Sequence, residues 1–151
     1  MATKTLKPPA AGLYDQDFAT WTSEAARLLR ARRFDEIEIE HVAEEIEDMG
    51  KSERRELLSR LSVIILHLLK WKWQADKRTP GWKSTVIIQR AELRRLFEQS
   101  PSLKRAVASA VRDVYADAVE SASVETGLAA VTFPRECPFS PEQILEQFFP
   151  E

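Results

Sequence analysis

The sequence predicts an all-α protein, a single-domain bundle of five long helices with a short sixth at the C-terminus. Three observations carry this. Four glycines (Gly12, Gly50, Gly81, Gly127) and eight prolines (Pro8, Pro9, Pro80, Pro101, Pro134, Pro138, Pro141, Pro150) leave the long stretches between them uninterrupted. An interior Pro costs a helix about 3 kcal/mol and an interior Gly about 1, so their absence matters. Apolar residues recur at three- and four-residue steps, and no further stretch alternates with period two, apart from the short Ile37 to Ile39 register that a helix claims. Thr79-Pro80 and Ser100-Pro101 each set a capping side chain before a proline, the order that opens helices.

The first helix is expected from about Asp15 to Arg32, with Phe18, Trp21, Thr22, Ala25, Leu28 and Leu29 on its buried face and Asp15 or Asp17 at its start. Asp35 can cap a second helix that ends at Met49 against Gly50, its apolar face being Ile39, Val42, Ala43, Ile46 and Met49. Ser52 can cap a third, reaching about Asp76. Leu57, Leu58, Leu61, Val63, Ile64, Ile65, Leu66, Leu68 and Leu69 make that helix apolar nearly all round, which places it at the centre of the bundle. A fourth helix runs from Pro80 to about Gln99, turning Val86, Leu93, Leu96 and Phe97 inward. A fifth runs from Pro101 to Gly127, rich in alanine so that a neighbour can approach closely. An extended tail follows, with a last short helix from Pro141 returning Ile144, Leu145, Phe148 and Phe149 to the core. Residues 1–12 are expected to be a flexible segment and 13–150 the domain.

Composition narrows the class of function. Twenty-two Lys and Arg against 24 Asp and Glu argue against a generally basic nucleic-acid binder. The lone cysteine, Cys137, excludes an internal disulfide and a multi-cysteine zinc site, and two histidines leave little for a His-based metal centre. The chain shows neither a signal-peptide pattern nor an apolar run long enough to span a membrane, so the cytoplasm is the expected setting. No metal and no cofactor is expected.

Tyr14-Asp15-Gln16-Asp17-Phe18 with Trp21, Glu44-Glu45-Ile46-Glu47-Asp48-Met49-Gly50 and His67-Leu68-Leu69-Lys70-Trp71 form a distinctive series. Trp82, Gln89-Arg90, Ser100-Pro101-Ser102-Leu103, Tyr115, Glu125-Thr126-Gly127-Leu128, Phe133-Pro134, Cys137-Pro138 and Phe148-Phe149-Pro150 continue it. In this order the set resembles the bacterial family known as domain of unknown function 29 over nearly the whole chain. His41 departs from the family pattern, which more often has Asn there. The resemblance implies an all-helical fold and a bacterial source, and it transfers no activity.

Three groups of residues could carry chemistry. Between Asp35 and Asp48 lie eight acids and no Lys or Arg. Those crowding the helix end need cations, from Arg27, Arg30, Arg32 and Arg33 before it or Lys51, Arg54 and Arg55 after it. A carboxylate-bridged metal centre would need repeated Glu-x-x-His pairs, and Glu38 with His41 supplies only one. The second group is Arg60 and His67, seven residues and nearly two turns apart on one helix face. The pair resembles the Arg…His motif of the helical HEPN ribonucleases. His67 would then be general base toward a ribose hydroxyl and Arg60 would steady a phosphate. The plainer reading is a buried neutral histidine hydrogen-bonded to Tyr115, Glu44 or Gln89.

The third group is basic and aromatic. Lys70, Lys72, Lys77, Arg78, Lys83 and Arg90, with Arg94 and Arg95, are interleaved with Trp71, Trp73 and Trp82. Phosphate neutralisation with base stacking is how sequence-tolerant nucleic-acid surfaces work, and the bland alternative is a polar rim. No phosphate loop or nucleophile elbow occurs. The expected function is a non-catalytic interaction or regulatory module with a protein partner or a second copy, and no membrane. The alternative is a nucleic-acid-binding protein or HEPN-like ribonuclease.

Overall fold

In a computed structural model, residues 12–151 are described. The expected flexible segment, Gly12 apart, lies outside the described residues. All regular structure among the described residues is helical: α1 (Leu13–Gln16), α2 (Phe18–Arg30), α3 (Ile39–Trp73), α4 (Pro80–Gln99), α5 (Val107–Thr126) and α6 (Pro141–Leu145), with single 3-10 turns between them. The all-α expectation holds, with four long helices in place of five. The chain divides into two compact units between Lys51 and Ser52.

The expected first helix is broken at Asp17, whose φ of −146° and ψ of 83° leave the helical region. Its carboxylate accepts from the Thr20 amide at 3.0 Å and the Thr20 hydroxyl at 2.6 Å, so capping α2 prevails over continuing α1. At the other end Arg32 adopts φ 55°, and the Arg33 amide reaches back to the Leu28 carbonyl at 3.0 Å. A left-handed residue at this place closes a helix, usually as Gly; here an arginine does it.

The second and third expected helices are one. Asp35 sits in the 3-10 turn Phe34–Glu36 instead of capping, and α3 runs straight through Gly50. A glycine stops a helix by turning left-handed, and Gly50 shows no positive φ. Staying helical costs about 1 kcal/mol against Ala. The good helix formers on both sides offset that, and Asp48 and Lys51 approach to 4.0 Å across the glycine.

In the unit up to Lys51, Trp21 and Leu28 of α2 are buried. The Tyr14 ring stacks on His41 with centroids 4.0 Å apart, stands edge-on to Trp21, and its hydroxyl donates to Glu45. Glu38 meets the same imidazole. This overturns the expected apolar face of the segment: Ile39, Ile46 and Met49 are 62%, 63% and 68% exposed. Ile39 and Ile46 each follow by one residue, about 100° round the helix, the Glu38 and Glu45 side chains that face Tyr14 and His41.

In the unit from Ser52, the remainder of α3 is the centre that its sequence predicts. Leu57, Leu61, Ile64, Ile65, Leu68 and Leu69 are all fully buried, with Val86 and Leu93 of α4 and Ala110, Ala118 and Ala122 of α5. Thr79 caps α4 by accepting from the Trp82 amide at 3.1 Å. Pro101–Ala106 winds first as a 3-10 helix, so α5 starts six residues later than Pro101. Gly127, at φ 74°, ends it as expected. Ser140 and Gln143 form a capping box that opens α6, and Ile144 is fully buried.

Candidate functional site

Arg60 and His67 lie on the part of α3 within the second unit. Seven residues place them about 10 Å apart along the axis. Arg60 is committed to neighbours. Its Nε donates to Glu56 at 2.9 Å, one Nη to Gln89 at 3.0 Å, and the other lies 3.8 Å from Glu92. His67 is half-buried, and its Nδ1 donates to the Val63 carbonyl at 2.8 Å, one turn back on its own helix. Two of the inter-helix partners that the sequence suggests are otherwise engaged: Tyr115 donates to the Pro134 carbonyl, and Gln89 accepts from Arg60; the third, Glu44, is not hydrogen-bonded to His67.

Burial pushes the His67 pKa below its usual 6.5, and the charge of Lys70 acts in the same direction. The folded protein therefore protonates this imidazole at lower pH than the unfolded chain, which protonates it near pH 6.5. Between the lowered pKa and about 6.5 the unfolded state binds more protons, so stability falls as pH falls through that window. Urea unfolding near pH 7 and near pH 5 is expected to show this loss, and His67→Gln is expected to shrink it.

The six bases singled out between Lys70 and Arg90 are brought into the same unit, but their surroundings differ. Lys70 is only 7% exposed; it bonds Glu125 at 2.6 Å and lies 4.5 Å from the Trp82 ring centre. Arg78 stacks over Trp71, and its Nε donates to the Trp71 carbonyl at 2.8 Å, filling one of the open acceptors at the end of α3. Lys72 lies over Trp73, while Lys77 belongs to the 3-10 turn Ala75–Lys77 and makes no ion pair among the described residues.

Arg90 is only 4% exposed. Its Nε donates to the Ile144 carbonyl at 2.8 Å, and one Nη donates to Gln143 at 2.9 Å and Phe148 at 2.8 Å. The first two acceptors are carbonyls of the last turn of α6, which no helical amide can reach. Burial, with Arg94 nearby, lowers the Arg90 pKa to about 10, leaving it charged at neutral pH. Beside it opens a cavity of about 380 Å³ lined by Lys83, Ile87, Arg90, Arg94, Gln147 and Phe149. Gln147 and Phe149 are absent from the site candidates named from sequence, where Arg94 enters only as a base accompanying the six. The positions 83, 87, 90 and 94 share one helix face, a signal that could have set Arg94 beside Lys83 and Arg90.

Among the described residues no group of three His, Cys, Asp or Glu could hold a metal ion, and no helix is long and apolar enough to cross a membrane. Arg27 and Arg33 pair with Glu24 and Glu36 respectively, and Arg54 with Asp113, instead of with the acids of α3. Among the described residues Glu40, Glu44 and Glu47 make no ion pair. Cys137 is a free thiol whose pKa burial raises, the opposite of an activated nucleophile.

Comparison with curated proteins and with solved structures gives no match. The family comparison does: residues 13–149 match "Domain of unknown function DUF29", and the chain belongs to that family.

Proposed function

We propose that this protein is a non-catalytic, cytoplasmic interaction module whose partner carries a basic amphipathic helix. The observation behind this reading is the exposed apolar stripe of Ile39, Ile46 and Met49 on α3, flanked by Glu40, Glu44 and Glu47, acids that make no ion pair among the described residues. Helical apolar anchors spaced by three, four and seven residues are how helices seat on one another. The acids select the charge of the partner: a basic segment gains from them, and a second copy presenting the same stripe is repelled. The second unit supports a non-catalytic role as well. The guanidinium that a ribonuclease would aim at phosphate is spent on Glu56, Gln89 and Glu92, and burial keeps His67 from accepting a proton readily.

The test places a photo-crosslinking residue at Met49 in the full chain, in cells, and identifies what it captures by mass spectrometry. The expected product joins Met49 to a basic amphipathic peptide of another protein, and Ile46→Asp weakens capture about tenfold or more. Adducts with a second copy alone, or none sensitive to Ile46→Asp, would overturn the docking surface. Turnover of RNA by the purified protein, lost in His67→Ala, would overturn the non-catalytic reading.

A further inference from the structure

The cavity beside Arg90 is a separate matter, in the other unit of the chain. Three of its lining side chains are cationic, Lys83, Arg90 and Arg94, and none is a carboxylate. A larger neighbouring cavity shares Arg90 and Arg94 and adds Lys104 and Arg105, but Glu142 and Glu146 line it too and offset part of the charge. In the smaller one nothing does.

The state of Arg90 indicates what is missing. A guanidinium so buried ordinarily faces a carboxylate; this one has three carbonyls, on Nε and one Nη. Its other Nη, with two N–H groups, has no hydrogen-bond partner among the described residues. No buried side-chain nitrogen or oxygen among them lacks a partner either, so this Nη is open to solvent. Arg90 lines both cavities, and only in the smaller one does it meet no carboxylate. Lys83 and Arg94 are exposed and make no hydrogen bond or ion pair among the described residues. With Arg90 they share one face of α4, at positions 83, 90 and 94, so three sets of donors line the cavity with no carboxylate among its lining. The remaining lining is the Gln147 amide, apolar Ile87 and aromatic Phe149, whose ring lies 5.3 Å from the Lys83 ammonium and 5.2 Å from the Arg90 guanidinium.

We propose that this cavity binds a small phosphomonoester, its phosphate held by the free Nη of Arg90 with Lys83 and Arg94, and an apolar or aromatic body lying against Ile87 and Phe149. A guanidinium edge meets phosphate oxygens with parallel donors, and charge-assisted bonds of this kind are the strong ones. The volume falls in the range of small-molecule sites, about 300–1,000 Å³. An anion there also supplies the counter-charge that Arg90 and Arg94 lack.

The test is calorimetric titration of the full chain with inorganic phosphate, phenyl phosphate and adenosine monophosphate, with thermal unfolding alongside. One saturable site is expected, with the two esters binding about tenfold or more tightly than inorganic phosphate, weakening with added salt, and a raised unfolding temperature. Arg94→Gln and Lys83→Gln are each expected to weaken binding about tenfold. Arg95→Gln, which removes a charge paired with Glu92 on the same helix, is expected to leave it unchanged. Absence of saturable binding by every probe, or affinities equal in the Lys83, Arg94 and Arg95 variants, would overturn the site. Binding of inorganic phosphate as tight as that of the esters would overturn the apolar subsite.

Discussion

Arg90→Ala is expected to destabilise the protein by about 3 kcal/mol and to loosen the chain after Pro141. One side chain supplies the donors for the carbonyls of Gln143, Ile144 and Phe148. Hydrogen bonds to a charged group are each worth about 1.5–3 kcal/mol, and acceptors stranded by truncation add their desolvation. The sum falls below the simple total because the freed carbonyls can reach water once the segment lifts. For a chain of this size about 3 kcal/mol lowers the unfolding temperature by roughly 6–12 °C. Hydrogen exchange distinguishes this from general weakening: amides of 143–149 should exchange faster than those of α4 and α5. Arg90→Lys should recover little, because an ammonium is a single point of charge and cannot span three acceptors in a plane. Unchanged exchange at 143–149 in Arg90→Ala would show that the C-terminal segment is held by its apolar contacts alone.

Leu61→Ala is expected to cost about as much, roughly 3 kcal/mol, by a different route. Leu61 is fully buried in the middle of α3, among Leu57, Ile64, Ile65 and Leu68 on the same helix and the core residues of α4 and α5. Truncation removes the transfer energy of three carbons and leaves a cavity that helices held on several sides cannot collapse. Such substitutions span about 2–5 kcal/mol. Equilibrium urea unfolding is the measurement. The loss should be the same at high and low salt, whereas a loss seen only at low salt would assign the effect to charges near Arg60.

The helices that sequence locates best are those with chemical punctuation. Thr79-Pro80 opens α4 and Gly127 closes α5 because a hydroxyl acceptor, a fixed φ and a left-handed turn are properties of single residues. The centre of the core is as legible, since no helix bearing six fully buried aliphatic residues can lie at an edge. Gly50 misleads because a glycine marks a stop only when something is gained by stopping, and that depends on residues distant in sequence. The exposure of Ile46 is hidden for the same reason. Its segment has two faces fit for burial, and the packing of Tyr14 on His41 decides between them. In the candidate site, the bases are plain in the sequence but their engagements are not. Nothing local tells that Lys70 is matched to Glu125, 55 residues on, or that Arg90 is spent on backbone while Arg94 has no ion pair among the described residues.

The Arg90 clasp also sets an order of events during synthesis. Its farthest acceptor, the Phe148 carbonyl, lies 58 residues downstream. At translation rates of about 5–20 residues per second, some 3–12 s separate the making of the guanidinium from the making of that carbonyl. During that interval α4 is on the nascent chain with Arg90 hydrated and the apolar residues around it uncovered. A ribosome stalled before Gln143 would therefore display a chain that has its central helix and none of its closing contacts, the species for which a chaperone would compete.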